Sequence, residues 1–135
     1  MVTLTFVDTN VLAYAYDSDS GDKGERAREV LAEIEGAVVS TQVVLELFTV
    51  LTRKLGLTRE AAEEATESLM DLEVVATDAR LVREGLRISR AHYISHWDAM
   101  IIAAAAASGC EVLLTEDLND GQVIERVRVV NPFHV

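Results

Sequence analysis

An α/β fold built on a mainly parallel sheet is what this sequence predicts, and three observations carry the prediction. Short, largely apolar runs rich in β-favouring residues (4–7, 37–39, 73–76, 112–114 and 127–130) alternate with longer stretches of helical periodicity. These runs lack the polar–apolar alternation of a half-exposed strand, which points to strands covered by helices on both faces. Two acids, Asp8 and Asp117, stand where such runs end. In open α/β sheets ligands bind outside the carboxyl ends of the strands, near a topological switch point.

The elements follow in order. Residues 4–7 form the first strand and 10–16 a short helix. Asp17-Ser18-Asp19-Ser20-Gly21-Asp22 is dense in turn residues and reads as a solvated loop. It resembles a calcium loop only superficially: Gly21 stands where a third ligand belongs and Arg28 where the closing Glu belongs. A charged helix spans 23–35, with Gly36 as its stop, before the strand at 37–39. Ser40 caps a helix to about 55, closed by Gly56. Val43, Val44, Leu47, Val50, Leu51 and Leu55 share one face of it. Thr58 caps a helix over 58–71, and the run at 73–76 is the third strand. Asp78 caps a helix to about 91. Ser95 opens a further helix, apolar almost all round from Ala99 to Ala107, which belongs in the core and ends at Ser108-Gly109. Strands at 112–114 and 127–130 complete the chain.

No repeat, low-complexity linker or composition break divides the 135 residues, so one domain over 1–135 is expected. At this size a chain buries roughly two-thirds of the surface it exposes when unfolded, enough for one core. A single cysteine, Cys110, excludes an internal disulfide framework and fits a reducing cytoplasm. No signal peptide is expected, and the longest uncharged apolar run falls well short of the ~20 residues a membrane span needs. Net charge is 12 − 23 = −11. Alone, that speaks against nucleic acid, whose phosphates call for a basic surface. Carboxylates loaded with metal would reverse the field locally. Two stripes add detail. Glu60, Glu63, Glu64, Glu67 and Asp71 make an acidic helix face, a solvated surface or a landing strip for a basic partner. Arg80, Arg83, Arg87 and Arg90 make the one basic concentration, a solvated face or a phosphate-contacting rim.

Four acids sit where secondary structure does not require them. Asp8 and Asp117 follow strands, Glu46 lies at the edge of a core-facing helix stripe, and Asp98 opens the buried helix. Each has an ordinary reading: a turn or N-cap for Asp8 and Asp117, a capping box with Ser95 for Asp98, an arginine partner for Glu46. Together they sit on elements that must pack side by side. Carboxylates that close cannot all ionise without compensation, and Mg²⁺ or Mn²⁺ is the natural one. An all-carboxylate site with one or two such ions suits phosphoryl chemistry by an activated water. The histidines do not show zinc spacing; His92 and His96 lie across a helix break.

Phe6-Val7-Asp8-Thr9-Asn10-Val11-Leu12 resembles the opening motif of PIN-domain ribonucleases, particularly VapC-type toxins of toxin–antitoxin pairs. Val43-Val44-Leu45-Glu46-Leu47, Trp97-Asp98-Ala99 and Thr115-Glu116-Asp117-Leu118-Asn119-Asp120-Gly121 are similar to the later motifs, in order and nearly end to end. The resemblance implies a three-layer α/β/α fold and Mg²⁺- or Mn²⁺-dependent cleavage of single-stranded RNA. It also implies frequent homodimerisation and a cognate antitoxin. By motif position it makes Asp8, Glu46, Asp98 and Asp117 the catalytic metal-site residues, with Asn10 and Thr115 as polar support; Asp120 is a nearby acid of open role. A catalytically silent PIN-like binding module is the alternative. A phospho-accepting receiver domain ranks low, because such chemistry calls for a lysine after a late strand and the only lysines are Lys23 and Lys54.

Overall fold

A computed structural model describes residues 2–134. Its elements run β1 (Leu4–Val7), α1 (Thr9–Tyr16), α2 (Asp22–Glu33), β2 (Gly36–Ser40), α3 (Thr41–Arg53), α4 (Arg59–Leu69), β3 (Glu73–Val75), α5 (Ala79–His92), α6 (His96–Ala107), β4 (Val112–Leu114), β5 (Val123–Ile124) and β6 (Val127–Val130). The strands form one sheet in the order β3-β2-β1-β4-β6-β5. All neighbours are parallel except the β5–β6 pair. The expected three-layer α/β/α architecture with a mainly parallel sheet is met.

The strand order decides where function can sit. From β1 the chain moves outward through β2 to β3, then crosses back to β4 on the other side of β1. Right-handed crossovers therefore put α1–α4 on one face and α5–α6 on the other. The switch point lies between β1 and β4, which pair directly, Val7 beside Leu114. Asp8 leaves one of these strands and Thr115 the other.

The core fills both faces. Phe6, Val38, Leu113 and Val129 are wholly buried in the sheet, and Leu47, Leu51, Ile88 and Ile102 close on them from the helices. Each such side chain contributes roughly 1.5–3 kcal/mol. Helix α6 packs on β2, β4 and β6, with Ala99–Ala105 all buried. Its small side chains let α5 come close. A Cβ built on Gly85 would stand 2.3 Å from Met100 Sδ, so any larger residue there would have to displace the Met100 side chain.

Three expectations are corrected. Gly36 does not stop α2; the helix ends at Glu33 and Gly36 opens β2. A Cβ on Gly36 would meet Leu4 Cδ2 at 2.8 Å, so the glycine serves the approach of β1. Strand β5 was absent from the expected set. It pairs antiparallel with β6 around Glu125 and Arg126, both at positive φ (52° and 70°). A tight hairpin turn normally announces itself by Asn or Gly at such positions, and here neither occurs. Finally, Asp71 lies beyond the end of α4, so the helical part of the acidic stripe is Glu60, Glu63, Glu64 and Glu67, exposed on α4.

Candidate active site

Asp8 is the N-cap of α1 and is buried. Its Oδ1 accepts from the Thr9 backbone N–H at 2.7 Å, and its Oδ2 accepts from the Thr115 hydroxyl at 2.9 Å. The carboxylate is thus aimed by the turn that ends β1 and by the first residue after β4. Burial pushes its pKa up to about 6; the two hydrogen bonds work against that rise, and the charges of Asp117 and Glu46 add to it. None of the groups acting on it is a cation.

Thr115, fully buried, is the hub. Besides donating to Asp8, its hydroxyl oxygen accepts from Asn10 Nδ2 at 3.2 Å and from the Asp117 backbone N–H at 3.1 Å. Asn10 Nδ2 also donates to Asp117 Oδ2 at 3.0 Å. Two loops from two strands are thereby locked together. The supporting pair expected from the sequence, Asn10 and Thr115, is found in contact with Asp8 and Asp117. Asn10 Oδ1 is buried and has no partner among the described residues.

Glu46 comes from α3, one helix away. Its Oε2 accepts from the Thr9 hydroxyl at 3.0 Å and its Oε1 from Gln42 Nε2 at 3.0 Å, one turn earlier in the same helix. Asp8, Glu46 and Asp117 line a single cleft of about 590 Å³, together with Asn10, Tyr14 and the loop acids Asp17 and Asp19. The loop after α1 is therefore a rim of the cleft rather than remote surface. Asp98 is not part of this wall. It stands half-buried on the first turn of α6, its N–H capped by Ser95 at 3.1 Å, and it reaches the site through its charge. Burial raises the pKa of Asp117, and Asp98 is the foremost of the like charges that raise it further. Asp120 takes no part: it accepts from the Asn131 N–H at 2.8 Å and holds the C-terminal segment.

Sequence reasoning passed over Thr9, Gln42 and Lys54. Thr9 ties Asp8 to Glu46. Gln42 stands four residues before Glu46, a helical spacing that is legible in the sequence. Lys54, exposed, lines the cleft and is one of two lysines in the chain. The other, Lys23, bonds Glu116 Oε2 at 2.8 Å, beside Tyr14 at the cleft edge. The arginine stripe is elsewhere. Arg80, Arg83, Arg87 and Arg90 line a groove between α5 and the end of α6 that shares no wall with the acids, and Arg87 is paired with Glu84 and Glu125. His92 bonds Glu125 at 2.9 Å, on the far side of the Tyr93 turn from His96.

The family model for the PIN domain matches residues 5–127, nearly the whole chain. This chain belongs to the PIN domain family. No curated protein matches its sequence. Among solved structures, a toxin–antitoxin complex from Klebsiella pneumoniae is similar at TM-score 0.75 and 18% identity, covering 97% of this chain and 99% of that one. VapC20 of Mycobacterium tuberculosis, a toxin that cleaves the sarcin–ricin loop, is similar at TM-score 0.71 and 21% identity, over 92% and 98% of the two chains. FitAcB of Neisseria gonorrhoeae follows at TM-score 0.70 and 22%, over 97% and 99%. At these identities the likeness is one of fold.

The PIN cleft fits a hard divalent cation by donor type. It offers carboxylate oxygens, and it holds Asp8 under a burial penalty that a cation would relieve. Among the described residues no three acid, imidazole or thiol groups are already drawn together as a metal cage. Hydrogen bonds to Thr9, Gln42, Thr115 and Asn10 hold the acids in their present places. Thr115 should therefore matter more than its size suggests. Thr115→Val keeps the shape but leaves Asp8 Oδ2 without its donor and Asn10 Nδ2 and the Asp117 N–H without their shared acceptor. Denaturant unfolding is expected to show a loss of about 2–3 kcal/mol.

Proposed function

We propose that the chain acts as one PIN unit, a divalent-metal-dependent endoribonuclease that cleaves single-stranded RNA as the toxin of a toxin–antitoxin pair. The observation that carries the reading is the meeting of Asp8, Glu46 and Asp117 in one cleft at the β1–β4 switch point of a PIN fold. Asp8, Glu46 and Asp117 would hold Mg²⁺ or Mn²⁺, as one ion or two, with Asp98 adding its negative charge beside Asp117 from the first turn of α6. When bound, such an ion supplies Lewis-acid activation of water and neutralises phosphate charge. The chain's own groups do the rest. Thr115 and Thr9 keep Asp8 pointed into the cleft, Asn10 fixes Asp117, and Gln42 fixes Glu46. The toxin reading is supported by solved structures of similar fold, one a toxin–antitoxin complex and one a toxin that cleaves the sarcin–ricin loop. It carries with it an antitoxin partner, a homodimer and a cytoplasmic setting. Among the described residues no helix is long and apolar enough to cross a membrane.

RNA cleavage with Mn²⁺ or Mg²⁺ tests the proposal. Calorimetric titration with Mn²⁺ separates it from the silent binding module, which the spacing of the acids keeps in view. A folded chain that takes up no Mn²⁺ would favour that module. Lys54 gives a finer expectation. It is the cation on the cleft wall and is free to meet a phosphate. Lys54→Ala should weaken RNA binding evenly across sequences. It should also flatten the dependence of log K on log salt by roughly 0.7, the share of one single-strand phosphate contact. An unchanged salt slope would remove Lys54 from the RNA path.

A further inference from the structure

Beside the acid cleft lies a second groove, about 710 Å³, walled by Trp97, Leu45, Thr41, Gln42, Thr77 and Glu46. Glu46 belongs to both, so the two hollows adjoin at a proposed metal-site residue. Trp97 is the only tryptophan in the chain and immediately precedes Asp98. It is 62% exposed, and Leu45 of the same groove is 69% exposed. A buried core explains neither. Exposed apolar side chains are common on this surface, but these two share one groove that adjoins the acid cleft, and burying them against an occupant would be favourable.

Resting on the ribonuclease reading, we propose that this groove receives a base of the RNA next to the cleaved phosphate, stacked on the Trp97 indole. The physical fit has three parts. The Trp97 ring lines the groove, with the His96 ring tilted 47° to it at 4.6 Å between centroids, and any base can stack on an aromatic face. Leu45 adds apolar lining. The polar lining supplies edge contacts: Gln42 uses its Nε2 on Glu46, which leaves its amide oxygen to accept from a base. The Thr41 hydroxyl donates to Thr77 at 2.9 Å, which leaves the Thr77 hydroxyl proton unused. Glu46 is the one charged residue of the groove. Binding here draws on stacking rather than on counterion release. That suits a chain of net charge −11, whose arginine groove lies apart from the acids.

Because Trp97 is alone, its emission reports directly on the groove. The test is a titration of the intact protein with a short single-stranded RNA of mixed sequence, with Ca²⁺ in place of Mg²⁺ to slow turnover. Trp97 emission should quench saturably. In steady-state cleavage, Trp97→Ala should raise KM about tenfold, within the range of one base–aromatic stack, and change kcat by less than about threefold. Trp97→Phe, which keeps a ring, should recover most of the loss. If the parent cleaves RNA while its emission does not respond, the groove is not a base site. If Trp97→Ala leaves RNA affinity intact and instead splits a dimer or releases a protein partner, the groove is a protein interface and the inference falls. A saturable quench in a parent that cleaves no RNA would sink the nuclease reading alone.

Discussion

Asp8→Asn should lose more than about a hundredfold of the parent's RNA-cleaving rate, and Asp98→Asn about 10–100-fold, the share typical of residues that only support a metal's ligands. Both changes keep shape and remove one negative charge. They probe different parts of the site. Asp8 is buried in the hub of the network, held by Thr9 and Thr115. Asp98 lies outside the walls of the cleft and reaches Asp117 by its field. Initial rates in Mn²⁺ and in Mg²⁺, with the RNA in excess, are the measurement. Equal rates for parent and Asp8→Asn would mean the acids are not the site. Equal rates for Asp98→Asn alone would reduce the set to Asp8, Glu46 and Asp117.

The same Asp8→Asn variant, without divalent ions, should be more stable than the parent at pH 7. Burial raises the Asp8 pKa to about 6 in the folded chain, against an ordinary value of 3.8. Between those two values the folded state holds a proton that the unfolded state has lost. The folding free energy therefore weakens as pH rises through this window, and the loss is complete above it. The shift corresponds to about 3 kcal/mol at pH 7. Asparagine avoids that penalty but turns its NH₂ against a donor on either side, the Thr9 N–H or the hydroxyl of Thr115, whose lone pairs already take Asn10 and the Asp117 N–H. That returns about 1 kcal/mol, and a net gain of about 2 kcal/mol remains. Denaturant unfolding in EDTA at pH 7 and at pH 4 is the check. The gain should vanish at pH 4, where the parent carboxyl is protonated in the fold. A gain that is the same at both pH values would show that the ionised Asp8 carries no burial cost. Adding Mn²⁺ should reverse the order at pH 7, by stabilising the parent and not the variant.

Much of the fold was legible because its signals are local. The continuous apolar runs, the caps at Ser40, Thr58, Asp78 and Ser95, and the alanine-rich α6 each express chemistry within a few residues. All four caps accept the expected backbone N–H. What escaped was non-local or atypical. Gly36 looks like a helix stop, yet its small size answers to Leu4 on the neighbouring strand. Strand β5 is two residues long and turns through Glu125 and Arg126, which no turn rule flags. Gln42 could have been found from its spacing to Glu46; Thr9 and Lys54 could not, since their partners are chosen in space.

By itself the sequence determined the alternation of strand and helix, the parallel sheet, and the placing of acids at strand exits. Periodicity and apolar content govern those features, and both are written along the chain. Only the tertiary structure decided which acids share a cleft. The order β2-β1-β4 brings Asp8 and Thr115 side by side, and α3 leans Glu46 in through Thr9. It also set Asp98 outside the cleft wall, moved the arginine stripe to another groove, and left Trp97 beside Glu46. The physical reason is one of range. Caps and strand patterns are settled by neighbours a few residues apart, whereas a site is settled by strand order and helix crossing, which join groups about a hundred residues apart in the chain, as Asn10 and Asp117 are (|i−j| = 107).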